Sequence, residues 1–193
     1  MTDPALTHRG LARTSFPFSD RLYRSTWSLV WLLLAAWTPP PFHRWRCLLL
    51  KAFGAEIALD CRVYGSARIW SPKNLRMDRN AVLGRHAQCY CMAPIHIGEN
   101  AIISQFAQLV TGTHDIDQPG FRLIARPITI GADAWIAAKA FVGPGVTVGD
   151  GAVLGACAVT FKDLPARSVY VGNPARFIRH RANFTTPSPR AAL

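Results

Sequence analysis

Ile130-Gly131-Ala132-Asp133-Ala134-Trp135, Ile136-Ala137-Ala138-Lys139-Ala140-Phe141, Val142-Gly143-Pro144-Gly145-Val146-Thr147, Val148-Gly149-Asp150-Gly151-Ala152-Val153 and Leu154-Gly155-Ala156-Cys157-Ala158-Val159 are consecutive hexapeptides written on one plan. An aliphatic residue opens each unit, glycine or alanine follows, and the fifth residue is small: Ala134, Ala140, Val146, Ala152 and Ala158. A period of six is neither the three-to-four of an amphipathic helix nor the two of an antiparallel strand. It fits a triangular prism, in which each side is a short strand and the aliphatic side chain points inward at a corner. The residue four further on has the same inward parity and must be small where three walls converge. Glycine or alanine in second place lets the chain turn without a bulky Cβ.

The same unit recurs upstream from Ile57, Val63 and Ile69, from Met77, Leu83 and Cys89, and from Ile97, Ile103 and Leu109. Those triplets start twenty residues apart, whereas Ile130 and Val148 are eighteen apart. Three hexapeptides make one coil, so the earlier coils each carry two additional residues at a corner. The predicted fold is therefore an all-β core, a parallel β-helix whose stacked coils cover one another's strand edges. Residues 55–172 form it, a helical segment at 1–54 precedes it, and a C-terminal extension and tail at 173–193 follows.

The repeat breaks once. Six residues beyond Leu109 stands Asp115, a charge where an aliphatic side chain belongs, and the register resumes only at Ile130. Residues 115–129, with Pro119-Gly120 and Arg126-Pro127, are expected to leave the prism as an external loop. Long loops on rigid scaffolds tend to carry function. His114, immediately before the break, has outward parity, which makes it a candidate for chemistry rather than a core histidine. His8, His43, His86, His96 and His180 lack that context and read as surface or packing residues.

Composition excludes other classes. The chain has 193 residues, half of them apolar, enough for one domain with a substantial core. The formal charge of +11 is terminal: residues 1–51 carry seven basic and two acidic side chains, residues 52–159 nine and eight, and residues 160–193 six and one. A nearly neutral body argues against nucleic-acid binding. Cysteines at 47, 61, 89, 91 and 157 lack the spacing of a zinc site or a disulfide scaffold, which reads as reduced thiols in a cytoplasmic protein.

The apolar stretch Ser28–Trp37 is shorter than the ~20 residues of a membrane span, and no small-x-small cleavage site follows it. It reads as a helix packed on the domain or on a neighbouring subunit. The alternative lays it on the inner face of an anionic membrane, with Arg21, Arg24, Arg44 and Arg46 at the headgroups.

The unit Ile97-Gly98-Glu99-Asn100-Ala101-Ile102 and its many copies over residues 55–180 resemble the hexapeptide-repeat acyltransferases, whose coils wind left-handed. Within them the closest likeness is to the galactoside, maltose and exopolysaccharide O-acetyltransferases. Gly112-Thr113-His114-Asp115 is similar to the family's histidine motif, and the resemblance implies that His114 is the general base of direct acetyl transfer from acetyl-CoA to a sugar or glycan hydroxyl. Imidazole suits that task because it exchanges protons near neutral pH. Asp115 and Asp117 are expected to orient the imidazole or to bind acceptor hydroxyls. Cys91 occupies the segment where family members place an acceptor-holding asparagine, and is assigned to the acceptor site on that basis.

The same resemblance assigns the amides of Ala138 and Ala156 to the acyl-pantetheine arm, with an amide such as that of Ala138 aimed at the carbonyl oxygen. Lys162, Arg176 and Arg179 are assigned to the phosphates of coenzyme A. It also implies a homotrimer with sites between subunits, and no metal. A γ-type carbonic anhydrase shares the prism but needs a histidine spacing that His86, His96 and His114 do not have. The alternatives left open are an N-acetyltransferase for an amino sugar or antibiotic and a non-catalytic β-helix scaffold at a membrane.

Overall fold

A computed structural model describes residues 17–182. Two helices, α1 (Phe18–Leu34) and α2 (His43–Ala52), lead into a left-handed parallel β-helix of three walls. Wall A stacks Glu56–Ile57, Leu75–Met77, Ile95–Ile97, Ile128–Ile130 and Thr147–Val148. Wall B stacks Arg62–Val63, Val82–Leu83, Ile102–Ile103, Trp135–Ile136, Val153–Leu154 and Ser168–Val171. Wall C stacks Arg68–Ile69, Gln88–Tyr90, Gln108–Val110, Phe141–Val142 and Val159–Thr160. Every pairing between these strands is parallel, and the registers join residues twenty apart in the early coils, as in Ile57 with Met77, thirty-three apart across the excursion, as in Ile97 with Ile130, eighteen apart in the next coil, as in Ile130 with Val148, and sixteen apart in the last, as in Val153 with Val169.

The hexapeptide explains the brevity of the strands. After each inward aliphatic residue the chain must turn a corner, and the fourth residue of the unit sits in the left-handed region: Asn80, Asn100 and Asp133 have φ of 56°, 57° and 55°. Asn and Asp tolerate that conformation better than most side chains. Inside the prism Val63, Leu83, Ile103, Ile136 and Leu154 are wholly buried, and Ala81, Ala87, Ala101, Ala107, Ala140, Ala152 and Ala158 fill the narrow remainder. Glycine follows the aliphatic residue where coils approach closely: a Cβ on Gly98 would lie 2.7 Å from the amide nitrogen of Ala132.

The first coil has no coil beneath it, so its outermost carbonyls need other partners. Side chains from the helical segment supply them. Trp27 Nε1 donates to the carbonyl of Ile69 (2.8 Å), Trp31 Nε1 to Gly65 (3.0 Å), Arg46 Nε to Val63 (2.6 Å) and the Cys47 thiol to Cys61 (3.4 Å). The inner face of the segment therefore packs on the domain. Arg46 is fully buried and also donates to Thr38 Oγ1 and to the carbonyls of Thr38, Pro39 and Pro40. It is not available to a headgroup, which corrects that part of the membrane reading. Arg24 is likewise engaged, with Asp20 at 2.9 Å and stacked 4.3 Å above the Trp70 ring.

At the other end Arg176–His180 folds back antiparallel on Ser168–Val171 and closes wall B. Residues 183–193 of the expected loose tail, and His8 with the first part of the N-terminal segment, lie outside the described residues.

Candidate active site

The irregularities of the prism fall on one corner, between walls C and A. Ser71, Cys91 and Thr111 occupy equivalent places there, all buried. Cys91 Sγ donates to the Ser71 carbonyl (3.2 Å) and accepts from the Ser71 amide (3.3 Å), while the Thr111 hydroxyl donates to Tyr90 O (2.8 Å) and accepts from the Ala93 amide (3.0 Å). The two additional residues of the early coils are accommodated here, and the large excursion departs from the third step of the same ladder.

That excursion, expected as an external loop, is a β-hairpin. Gly112–His114 pairs antiparallel with Leu123–Ala125, in the register Gly112–Ala125, Thr113–Ile124 and His114–Leu123. The Arg126 amide closes its base on the Thr111 carbonyl at 2.9 Å, and the Asp115 amide extends the ladder to Arg122 O at 2.8 Å. Gly112 is needed at the root, where a Cβ would strike Met92 Sδ and come within 3.2 Å of Tyr90 Cε1. The tip turns through Gly120 at φ +85° and Phe121 at φ +50°.

This turn brings the Phe121 carbonyl oxygen to 2.6 Å from Nδ1 of His114, whose side chain is exposed. A carbonyl can only accept, so Nδ1 carries the proton and the neutral ring keeps its lone pair on Nε2. Nε2 is thereby set up to take a proton. The imidazole is oriented by backbone, and the expectation that Asp115 or Asp117 would orient it is corrected: Asp115 Oδ1 accepts from the Asp117 amide (3.2 Å) and holds the turn instead. Both carboxylates border the exposed hairpin.

The assignment of Cys91 is also corrected. Its side chain is fully buried within the corner ladder, and burial pushes its thiol up to about 11. It can neither touch an acceptor nor ionise readily at neutral pH.

Two residues that sequence reading passed over lie beside the hairpin root. Trp70 and Tyr90, twenty positions apart and hence stacked on successive coils, have ring centroids 4.8 Å apart. With Arg21, Arg24, Ser28, Arg68 and Gln88 they line an open groove of about 920 Å³ between α1 and wall C. Tyr90 is the link from this groove to Gly112, two residues from His114.

The residues assigned to coenzyme binding divide between two edges of wall C. Ala138 and Ala156 occupy the corner between walls B and C in successive coils, with the Ala138 carbonyl taken by the Cys157 amide at 2.9 Å. Among the described residues no hydrogen bond is formed by either alanine's own amide. Gly172 and Ala175 continue this stack, bonded to the amide and carbonyl of Val159 at 3.0 and 2.8 Å, and place the exposed Arg176 at its end. Arg179 follows on the same strand, opposite Val169. Lys162 projects from the other edge, beside Thr160, on the corner that carries His114. Within one chain the imidazole and the two amides thus flank wall C on opposite sides.

The remaining histidines have other partners. His96 Nε2 pairs with Asp78 at 2.6 Å on wall A, and His86 stacks on Phe106 with centroids 4.9 Å apart. On wall B the outward residues Val82, Ile102, Trp135, Val153 and Val169 are in vertical register, an apolar stripe on a face open to a partner.

Residues 127–162 match the family model described as bacterial transferase hexapeptide (six repeats). Over 155 residues the chain is 42% identical to the Escherichia coli (strain K12) protein called "Putative colanic acid biosynthesis acetyltransferase WcaF", covering 80% of this chain and 85% of that one. The chain belongs to the hexapeptide-repeat acetyltransferases, and is an enzyme of that class. Its fold is shared with a maltose O-acetyltransferase from Clostridium difficile 630, at 25% identity and a TM-score of 0.76, covering 86% of this chain and 90% of that one. It is shared equally with a galactoside acetyltransferase solved in complex with coenzyme A, at 24% identity and a TM-score of 0.76, covering 88% and 86%.

Proposed function

We propose that the enzyme transfers the acetyl group of acetyl-CoA directly to a hydroxyl of a sugar or glycan in exopolysaccharide biosynthesis, in the cytoplasm, with His114 as general base. The hydrogen bond from His114 Nδ1 to the Phe121 carbonyl carries this reading, because it leaves Nε2 as the basic atom on an exposed hairpin. Nε2 removes the hydroxyl proton as the oxygen bonds to the thioester carbonyl carbon. It returns that proton to the sulfur as the carbon–sulfur bond breaks, so an ester and free coenzyme A leave and the ring is neutral again. With Cys91 sealed, the acetyl group cannot pause on that thiol.

The residues present suit acetyl-CoA as co-substrate. The amides of Ala138 and Ala156 face outward at a corner of small side chains, where an extended amide-bearing arm can lie against the backbone. The Ala138 amide then stabilises the charge that grows on the carbonyl oxygen. Arg176 and Arg179 at the end of that stack, and Lys162, meet phosphates. Asp115 and Asp117, on the hairpin, are placed to accept from acceptor hydroxyls.

Because His114 and the two amides lie on opposite edges of wall C, a working site takes its base from one subunit and its coenzyme edge from another. The apolar stripe Val82–Ile102–Trp135–Val153–Val169 supports such association, and a closed homotrimer satisfies three sites at once. Acetyl-CoA turnover against a panel of sugars and their amino analogues tests the reading. Ester formation by the wild type, lost in His114→Ala, is expected. Acetylation of amines alone, or turnover that survives in His114→Ala, would refute it.

A further inference from the structure

We propose that the outward face of α1, together with the Trp37–Leu48 segment beside it, docks on the surface of an anionic lipid bilayer. Helix α1 is apolar on two sides. Trp27 and Trp31 face the prism, while Phe18, Leu22, Leu29, Leu32 and Leu33 point away from it, each between 56% and 71% exposed. At 3.6 residues per turn these five fall on one stripe opposite the two tryptophans. A helix that only packed on its own domain would turn polar side chains to water on that side.

The stripe does not end with the helix. Trp37 is 73% exposed, and Phe42, Trp45 and Leu48 are also large and exposed. The indole N–H groups of Trp37 and Trp45 are already satisfied, by the carbonyls of Leu33 (2.6 Å) and Leu34 (2.8 Å). What these rings offer outward is carbon surface, the property that draws tryptophan to the membrane interface. With 17 residues α1 is too short to cross a bilayer, and no helix among the described residues is long and apolar enough to do so. The geometry is that of a helix lying in the interfacial plane.

Charge selects the occupant. Residues 1–51 carry seven basic and two acidic side chains, and one of the two, Asp20, is already bound to Arg24 and Lys73. Arg21, Arg44 and Lys51 are exposed around the apolar face. Two copies of this chain meeting through this face would oppose their own positive rims, whereas anionic headgroups match them. This inference stands apart from the acetyl-transfer reading, since none of the residues it uses is assigned a role in that chemistry.

The test is co-sedimentation of the full chain with phosphatidylcholine vesicles, with and without phosphatidylglycerol. Wild type should pellet with the anionic vesicles and be released by salt. The double variant Leu29→Asp/Leu33→Asp should lose roughly a hundredfold in partitioning, as expected for two exposed leucines that bury in lipid. Trp37→Ser is a second, milder probe if the double variant does not fold. Wild type left in the supernatant with anionic vesicles would overturn the proposal, as would undiminished pelleting of both variants. So would a fall in solution mass in the variants, which would identify a second copy as the occupant. Turnover of a water-soluble sugar, measured in parallel, separates the two readings: pelleting without turnover leaves docking intact and removes the transferase assignment.

Discussion

His114 and Phe121 are joined across the hairpin tip, imidazole Nδ1 to backbone carbonyl oxygen at 2.6 Å. The orienting group is thus part of the main chain, and no substitution of a side chain can delete it directly. Replacing the imidazole itself has the clearest consequence. His114→Ala should lower kcat by about 10²- to 10⁴-fold, the usual worth of a general base. Coenzyme binding by calorimetry and the melting temperature should hardly change, because the side chain is exposed.

The carbonyl can be moved through the turn that aims it. Gly120 has φ +85°, and a Cβ there meets nothing within 4 Å, so Gly120→Ala is opposed by backbone conformation alone. The strain, of order 1–2 kcal/mol, should relax the tip and let the ring rotate. We expect kcat to fall about tenfold with the KM for acetyl-CoA unchanged, read from steady-state kinetics. An equal rise in that KM would mean that the hairpin also holds coenzyme.

Thiol chemistry offers a check on direct transfer. Burial pushes the thiols of Cys47 up to about 12 and of Cys61 and Cys91 to about 11, and that of Cys89 well above its ordinary value. Only Cys157 is exposed. Alkylation of the native protein near neutral pH should therefore add one label, located by mass spectrometry at Cys157, and Cys91→Ser should keep its turnover. Loss of activity on that substitution in a protein that still melts normally would point instead to a covalent acetyl-cysteine intermediate.

The repeat made most of this architecture legible, because a six-residue period leaves one way to bury its aliphatic residues. Even the stacking of Trp70 on Tyr90 was implicit in the twenty-residue spacing. The departure of the chain after Leu109 was equally plain, since Asp115 cannot face an apolar interior. What the period could not reveal was the shape of the excursion. Leu123–Ala125 is too short to announce a strand, and a backbone carbonyl that orients a histidine leaves no mark in side-chain identities. Cys91 differs from its motif assignment for another reason: it shares the inward parity of Cys89, and that parity buries it whatever residue family members carry in this segment. The pairing of Arg46 with a row of carbonyls was invisible because nothing in its neighbourhood along the chain is acidic.

Electrostatic attachment of α1 should be visible in acid. The hydrogen bond from Lys73 holds the Asp20 carboxyl below its ordinary 3.8, with help from Arg24 against the opposing effect of burial. A folded-state pKa below the unfolded one stabilises the fold above the unfolded value, and that contribution fades as pH falls through the folded value. Asp20→Asn should thus be less stable than wild type at neutral pH and approach it as pH falls below the ordinary 3.8, compared by urea denaturation. A constant difference across that range would sever the link.

Arg46 is the most consequential residue of the helical segment. Arg46→Ala removes a fully buried guanidinium together with its hydrogen bonds to Val63, Thr38, Pro39 and Pro40, although the Val63 carbonyl keeps His43 Nδ1 and the Pro39 carbonyl keeps the Phe42 amide. A cost of about 3 kcal/mol or more is expected, measurable as a lowered urea midpoint with catalytic constants intact in the surviving folded fraction.

That cluster of indole, guanidinium and thiol donors beneath the first coil also decides how the molecule ends. A stack of identical rungs has no intrinsic reason to stop, and a bare lowest rung would offer its carbonyls to the top of any neighbour. By occupying those acceptors with side chains that cannot themselves be extended, the leading segment makes the column finite, so a version lacking residues 18–52 should grow into fibres rather than merely lose stability.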